Sequence, residues 1–310
     1  MPLYLMWMEE IVVLIIGLLF LGVALFLVRR TGGTAPNQTV VGRLISLIAF
    51  AGVVVFWLTR FWFTGPMDAT WRYAVPLAAA TLAVAVYAGL GTRTRSAEIS
   101  REVDLAPRSV WSFGSSWWFA GLFTLAGLLV STVILAGLAS STDDEGRHTL
   151  IVLDIGNAQA ATVFFGWAFG VPVLIGLAAL LGLVFVALWR VARPAVSADP
   201  RVRDLEVALR RNQARTVLAI ASGATAFTLG AALLFLGRSS ALAASFSGPE
   251  GGRIELVTSF AALGTPFMIL GLLLQGLGVA LVIMPLCQPN KRPARETADS
   301  TPPLSAAANH

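Results

Sequence analysis

Seven long apolar runs dominate the 310-residue sequence and restrict the folds that it can adopt. They are 18 to 30 residues long and cover residues 11–28, 42–59, 73–91, 117–139, 163–189, 216–237 and 257–286. A helix needs about 20 consecutive apolar residues to cross the hydrocarbon core of a bilayer. We therefore predict an all-α integral membrane protein with seven transmembrane helices in residues 1–287, followed by a disordered cytoplasmic tail at 288–310.

The composition agrees with this fold class. Only 13% of the residues are charged, and the mean hydropathy is +0.77, whereas soluble domains carry about 25% charged residues. The pI of about 10.3 does not indicate a nucleic-acid partner, because the arginines fall between apolar runs and form no continuous basic face. The single cysteine, Cys287, excludes an intramolecular disulfide and a cysteine-based metal site.

The positive charges between the runs predict an orientation. Of the 22 lysines and arginines, 17 follow the first, third, fifth or seventh run and only 5 follow the others. Cytoplasmic loops carry the excess of positive charge, so we expect the N-terminus outside and the C-terminus inside. The segment before the first run has no positive charge and no evident cleavage site, which favours a retained span over a signal peptide. Because arginine outnumbers lysine 21 to 1, we expect the plasma membrane of a GC-rich bacterium.

A basic segment at 198–219 precedes the sixth run. Asp199 is a candidate N-cap, Pro200 suits the first helical position, and Glu206 and Arg210 have the i, i+4 spacing of a helical ion pair. These residues predict a basic helix that leads into the sixth span. Its partner would be the anionic lipid head groups at the inner face, although a solvated face that only determines topology is the simpler interpretation.

Three prolines lie at similar places in the third, fifth and seventh runs. Pro76, Pro172 and Pro266 are separated by 96 and 94 residues, and each lies toward the predicted outer end of its span. We expect each proline to start or kink the crossing helix, since a first-turn proline loses no hydrogen bond; a hinge or a broken-helix binding site is the alternative. The layout also suggests three repeated hairpins, formed by spans 2–3, 4–5 and 6–7.

The sequence contains few candidates for chemistry. Asp143, Asp144, Glu145 and His148 cluster in the predicted outer loop and could serve acid–base or metal chemistry, but a solvated loop is the simpler interpretation. Gln275 is the most polar side chain in the interior of a run, away from its ends, and could hydrogen-bond across helices or line a cavity. We find no catalytic motif, so we predict no catalytic residue, cofactor or metal ligand, and no proton-coupled carrier.

The two longest outer loops contain β-branched segments. The residues TLIVLDI at 149–155 and RIELV at 253–257 have the composition of strands. We expect these two strands to pair with each other as a small cap.

Residues 166–194 and 210–237 resemble, in style, the polytopic membrane proteins of unassigned activity that are common in actinobacteria. The resemblance implies a plasma-membrane protein and no particular reaction. Three functions stay open: a non-enzymatic accessory or assembly component of a membrane complex, with a membrane-protein partner or as a homo-oligomer; a transporter or flippase for an uncharged or lipid-like molecule, which would need a central cavity between spans 3, 5 and 7; and an enzyme that uses the acidic loop cluster.

Overall fold

The computed structural model describes residues 3–30, 40–62, 70–90, 115–154, 159–193, 200–240, 243–247, 253–257 and 260–287. The predicted tail at 288–310 and the proposed N-cap Asp199 lie outside these residues. Seven helices are long and apolar enough to span a membrane. They are α1 (Leu3–Arg30), α2 (Val40–Trp62), α3 (Val75–Leu90), α4 (Ser116–Ala139), α5 (Trp167–Ala192), α6 (Pro200–Ser240) and α7 (Gly264–Ile283).

Helix α6 lies at the centre of the bundle. Its most apolar window is 100% buried by the rest of the chain, against 22–44% for the other six candidate spans, because α2, α3, α4, α5 and α7 all pack around it. The buried hydroxyls of Thr216 and Thr225 donate to carbonyl oxygens one turn earlier, at 2.9 and 2.8 Å. Such bonds within the helix satisfy buried hydroxyl donors along α6.

A row of glycines explains how closely α7 approaches α6. The two helices are antiparallel, and glycines seven residues apart face each other in three pairs: Gly223 with Gly278, Gly230 with Gly271, and Gly237 with Gly264. A methyl group added to Gly278 would lie 2.6 Å from the Gly223 carbonyl oxygen, closer than van der Waals contact allows. Small residues permit this packing in membrane helices, where dispersion contacts replace the hydrophobic effect.

The remaining helices complete the bundle around this pair. Helix α1 packs on α7, where Gly17 and Gly276 meet, and α2 packs along α3. Helices α1, α3, α5 and α7 begin at one end of the bundle, which we call the cavity end. We call the other end the arginine end, after Arg190, Arg193, Arg211 and Arg215.

Two small β-sheets follow α4 and α6. One sheet has the order β1 (Ser141–Thr142), β2 (His148–Asp154) and β3 (Gln159–Val163), and the other pairs β4 (Ala243–Ser247) with β5 (Arg253–Val257). Both sheets are antiparallel, with registers such as Leu150 opposite Val163. Both β-branched segments are therefore strands, but the predicted pairing of one with the other is wrong, because each finds its partner within its own loop.

Several helix boundaries differ from the predicted spans. Helix α1 begins at Leu3, eight residues before the predicted span, and the basic segment before the sixth span is continuous with it in one 41-residue helix. The seventh span was predicted from residue 257, but that residue ends β5, and a 3₁₀ turn at Ala261–Leu263 precedes α7. A run of apolar residues predicts that a helix is present, but it does not predict the first residue of that helix accurately. The reason is that a buried strand is equally apolar and can precede the helix within the same run.

The prolines occupy two different settings. Pro76 and Pro266 lie in the first turns of α3 and α7, as predicted, and both helices follow a short 3₁₀ turn. Pro172 differs, because α5 begins at Trp167 and the proline is its sixth residue. It therefore removes the N–H that would donate to Ala168, which is a kink position and not a helix start.

Candidate functional site: a charged cavity at one end of the bundle

A small cavity lies where α1, α2, α6, α7 and the 3₁₀ turn at Thr70–Ala74 meet. Its volume is about 30 Å³. The polar side chains that line it come from four separate parts of the chain and include two acids and two arginines: Glu9, Glu10, Arg72, Tyr73, Gln275 and Arg238. Ionisable groups within helices of this length are the default indication of a functional site in a membrane protein.

An ion pair closes the cavity on one side. The guanidinium of Arg238, near the end of α6, pairs with the carboxylate of Glu9, near the start of α1. Their side chains are 36% and 35% exposed, so the pair is neither fully solvated nor fully buried. It joins the outermost helix of the bundle to the central one, and adds an electrostatic contact to the glycine contact between α1 and α7.

Aromatic rings hold the second arginine. The Arg72 guanidinium carbon lies 5.0 Å from the ring centroid of Tyr73 and 5.5 Å from that of Phe56, which is cation–π distance. Its Nη2 also donates to the Tyr73 hydroxyl at 3.3 Å. Tyr73 in turn contacts Phe165 and Phe235 edge-on, with centroids 5.2 and 5.9 Å away. The aromatic cluster thereby joins α2, α5 and α6 beneath the cavity.

Glu10 and Gln275 form the buried part of the lining. They are only 4% and 3% exposed. Gln275 of α7 packs directly over Gly230 of α6, where a methyl group would lie 2.7 Å from the Gln275 amide nitrogen of the backbone. Gln275 therefore lies both at the contact between α6 and α7 and on the wall of the cavity.

The size of the cavity limits its chemistry. About 10–15 Å³ suffices for one water molecule, so the space accepts about two waters or one small ion. Sites for small-molecule ligands are typically 300–1,000 Å³. The formal charges of two glutamates and two arginines cancel, which suits a hydrated, neutral network that links α1, α6 and α7.

The predicted loop cluster is separate from this cavity and forms a turn. Asp143 Oδ1 accepts the backbone N–H groups of Glu145 and Arg147 at 3.0 and 2.8 Å, and Oδ2 accepts the Thr149 hydroxyl at 2.8 Å and Arg147 Nε at 3.1 Å. Gly146, with a φ of +76°, completes the reversal. These contacts shape the β1–β2 hairpin.

The electrostatics of Asp143 reflect those donors. Burial raises the pKa of its carboxyl group, but hydrogen bonds from the Arg147 N–H, the Thr149 hydroxyl, the Arg147 guanidinium and the Glu145 N–H outweigh that effect and lower the pKa to about 2. The carboxylate is thus ionised and committed to the turn, which leaves it unsuited to accept a proton in catalysis near neutral pH.

The other members of the loop cluster do not complete a reactive group. Asp144 and Glu145 are exposed, and Glu145 pairs with Arg147 at 2.9 Å. The His148 Nδ1 lies 3.5 Å from the Ser140 hydroxyl. Among the described residues, no group of three histidine, cysteine, aspartate or glutamate side chains could hold a metal ion.

Sequence reasoning missed most of the cavity. It identified Gln275 but assigned Glu9 and Glu10 to a leader outside the first span, and counted Arg72 and Arg238 only as loop charges. A signal was present, since apolar residues continue on both sides of the two glutamates and permit a longer helix.

Comparison of the chain with protein-family models, curated proteins and solved structures finds no match. The fold and the site therefore define its class, a multi-helix protein with seven candidate membrane spans, on their own.

Proposed function

We propose that the chain is a non-enzymatic integral protein of a bacterial plasma membrane, and that it serves as an accessory or assembly component of a membrane complex. The observation that carries this proposal is the solid interior, in which α6 fills the bundle axis. A protein built this way offers exposed helix faces around a filled axis, and the charged cavity at its end is about 30 Å³, far below the size of a substrate site.

The transporter alternative required a central cavity between spans 3, 5 and 7. Helix α6 occupies that position, and α3, α5 and α7 each pack against it. The charged cavity lies instead at the bundle end, on α1, α2, α6 and α7. The prolines also differ in setting, since Pro76 is buried while Pro266 is exposed on the helix surface. These features favour the accessory role over transport.

The charge distribution supports an orientation with the cavity end and both β-sheets outside. Seventeen of the 22 basic residues then lie on the cytoplasmic side, as expected for a bacterial plasma membrane. The shared pattern of a 3₁₀ turn and a first-turn proline at α3 and α7 supports a repeat between hairpins 2–3 and 6–7. The hairpin of spans 4–5 departs from it at Pro172.

Purification of the tagged chain from its native membrane in mild detergent tests the proposed role. We expect a partner in fixed stoichiometry, recovered again when the partner carries the tag, and loss of that partner's complex when the chain is deleted. Recovery of the chain alone, together with solute or lipid movement that depends on it in proteoliposomes, would contradict the proposal and favour a transporter.

The single cysteine tests the orientation independently. Cys287 is exposed just after α7, at the arginine end. A membrane-impermeant maleimide should label it only after the cells are permeabilised. The matched variant, Cys287→Ser with Asp144→Cys in the exposed β1–β2 turn, should be labelled in intact cells. The reverse pattern would invert the proposed orientation.

A further inference from the structure

We propose that Arg211 and Arg215 of α6, together with Trp118 of α4, bind the phosphate of an anionic phospholipid at the arginine end of the bundle. This inference rests on the membrane location proposed above. The proposed site is a single position between α4 and α6, in contrast to a general attraction between basic residues and lipid.

Among the described residues, Arg215 is a partly buried cation that has no carboxylate partner. Its guanidinium carbon lies 5.6 Å from the ring centroid of Trp118, and its Nε is shielded from solvent without a hydrogen-bond partner. No carboxylate of the described residues pairs with it. Withdrawing a charge from water is costly unless a counter-charge and hydrogen bonds replace the water. The geometry therefore calls for an external anion with several acceptor oxygens.

Arg211 supplies a second guanidinium at the same place. It is exposed and lies one turn before Arg215, so that both side chains project from the same face of α6. Two planar guanidiniums can each donate two parallel hydrogen bonds to phosphate oxygens. The first turn of α4 beside them contains no acid.

The depth of this pair identifies a lipid as the source of the phosphate. Arg215 and Arg238 are 23 residues apart on one continuous helix, a distance of about 35 Å. That distance slightly exceeds the hydrocarbon thickness of about 30 Å, so Arg215 lies at the level of the lipid phosphates when Arg238 lies at the opposite interface. Trp118 and the 85%-exposed Trp117 provide the aromatic side chains that favour this level.

Native mass spectrometry of the full chain in detergent tests the site with phosphatidylglycerol, phosphatidylcholine and inorganic phosphate as probes. We expect one phosphatidylglycerol per chain to bind more tightly than the zwitterionic lipid. Arg215→Gln and Arg211→Gln should each weaken that binding by about five-fold, the effect of removing about one interfacial arginine. Arg211 is exposed, so its variant keeps the test valid even if Arg215→Gln folds poorly.

Arg203→Gln is the matched control, because it removes the same charge from the same helix about 18 Å away. An equal loss with Arg203→Gln would mean a diffuse basic surface and overturn the site. Unchanged binding in both Arg211→Gln and Arg215→Gln, or displacement of the lipid by an equal concentration of inorganic phosphate, would also overturn it. If the chain were instead absent from the membrane fraction, the proposed membrane role itself would fail.

Discussion

The two ends of the bundle balance their charges differently. At the cavity end, Arg238 pairs with Glu9, and in the neighbouring hairpin Arg147 pairs with Asp143 and Glu145. At the arginine end, Arg190 Nη1 donates to the Ala88 carbonyl at 2.7 Å and caps the end of α3, while Arg193 and Arg215 rest on tryptophan rings. A carbonyl oxygen accepts a hydrogen bond and an indole ring attracts a cation, but neither group carries a full negative charge.

This difference indicates how each end meets its surroundings. At the cavity end, ion pairs neutralise Arg147 and Arg238 within the chain, while Arg72 lies on the rings of Phe56 and Tyr73. At the arginine end Arg210 pairs with Glu206, but Arg190, Arg193 and Arg215 contact a carbonyl group or a ring and keep hydrogen-bond donors that anionic lipid head groups would satisfy. The end at which these three arginines contact a carbonyl group or a ring is thus the end that the excess of positive charge predicts to be cytoplasmic.

The largest effect should come from disrupting the glycine contact between α6 and α7, the two helices that connect the ends of the bundle. In Gly230→Val, the new side chain would begin 2.6 Å from the Gly271 carbonyl oxygen, and backbone cannot yield as a flexible side chain does. We expect a loss of at least about 3 kcal/mol, measured by denaturant unfolding in micelles, or a failure to fold. Gly127→Ala in α4, where nothing lies within 4 Å, is the control and should be neutral or mildly stabilising. Equal stability of the two variants would disprove the tight α6–α7 packing.

A smaller effect is expected from the ion pair at the cavity end. Arg238→Ala should cost about 1–3 kcal/mol, less than for a fully buried pair because both side chains are one-third exposed. A double-mutant cycle with Glu9→Ala should give a coupling energy of about 1 kcal/mol. The Glu206–Arg210 pair at the arginine end, at 3.8 Å, offers a comparison and should couple by only about 0.3–0.5 kcal/mol. Equal coupling energies for the two ion pairs would mean that the pair at the cavity end is no stronger than a surface pair at the arginine end.

The sequence predicted the number and order of the helices because membrane-length apolar runs leave few alternatives. No prediction was made from Gly223, Gly230 and Gly237, although these glycines repeat every seven residues in the sequence. Periodicity alone, however, does not say which helix the glycines meet. That α6 would be wholly enclosed could not be read from its most apolar window, because the hydropathy of that window lies within the range of the other six spans.

The cavity was beyond sequence reasoning for a related reason. Glu9 and Arg238 are 229 residues apart, and no local pattern links them. An acid next to an apolar run reads as a loop residue unless its distant partner is known. The acidic loop cluster shows the opposite problem. Its residues are adjacent in sequence, which suggested a shared site, but Asp143 stabilises a turn.

The smallest predicted effect concerns that turn and its pH dependence. The pKa of Asp143 is about 2 in the folded chain, against an ordinary value of 3.8. A lowered pKa means that the carboxylate stabilises the hairpin fully above about pH 4, and that the stabilisation is lost as the pH falls through about 2. Carboxyl NMR titration should place the midpoint near 2, and Thr149→Val, which removes one donor to Oδ2, should raise it. Asp143→Asn should abolish the change in the Arg147 amide signal between pH 4 and pH 2. An unaltered midpoint in Thr149→Val would mean that the Thr149 hydroxyl does not stabilise the ionised carboxylate, and that the donors of Arg147 and Glu145 account for the lowered pKa.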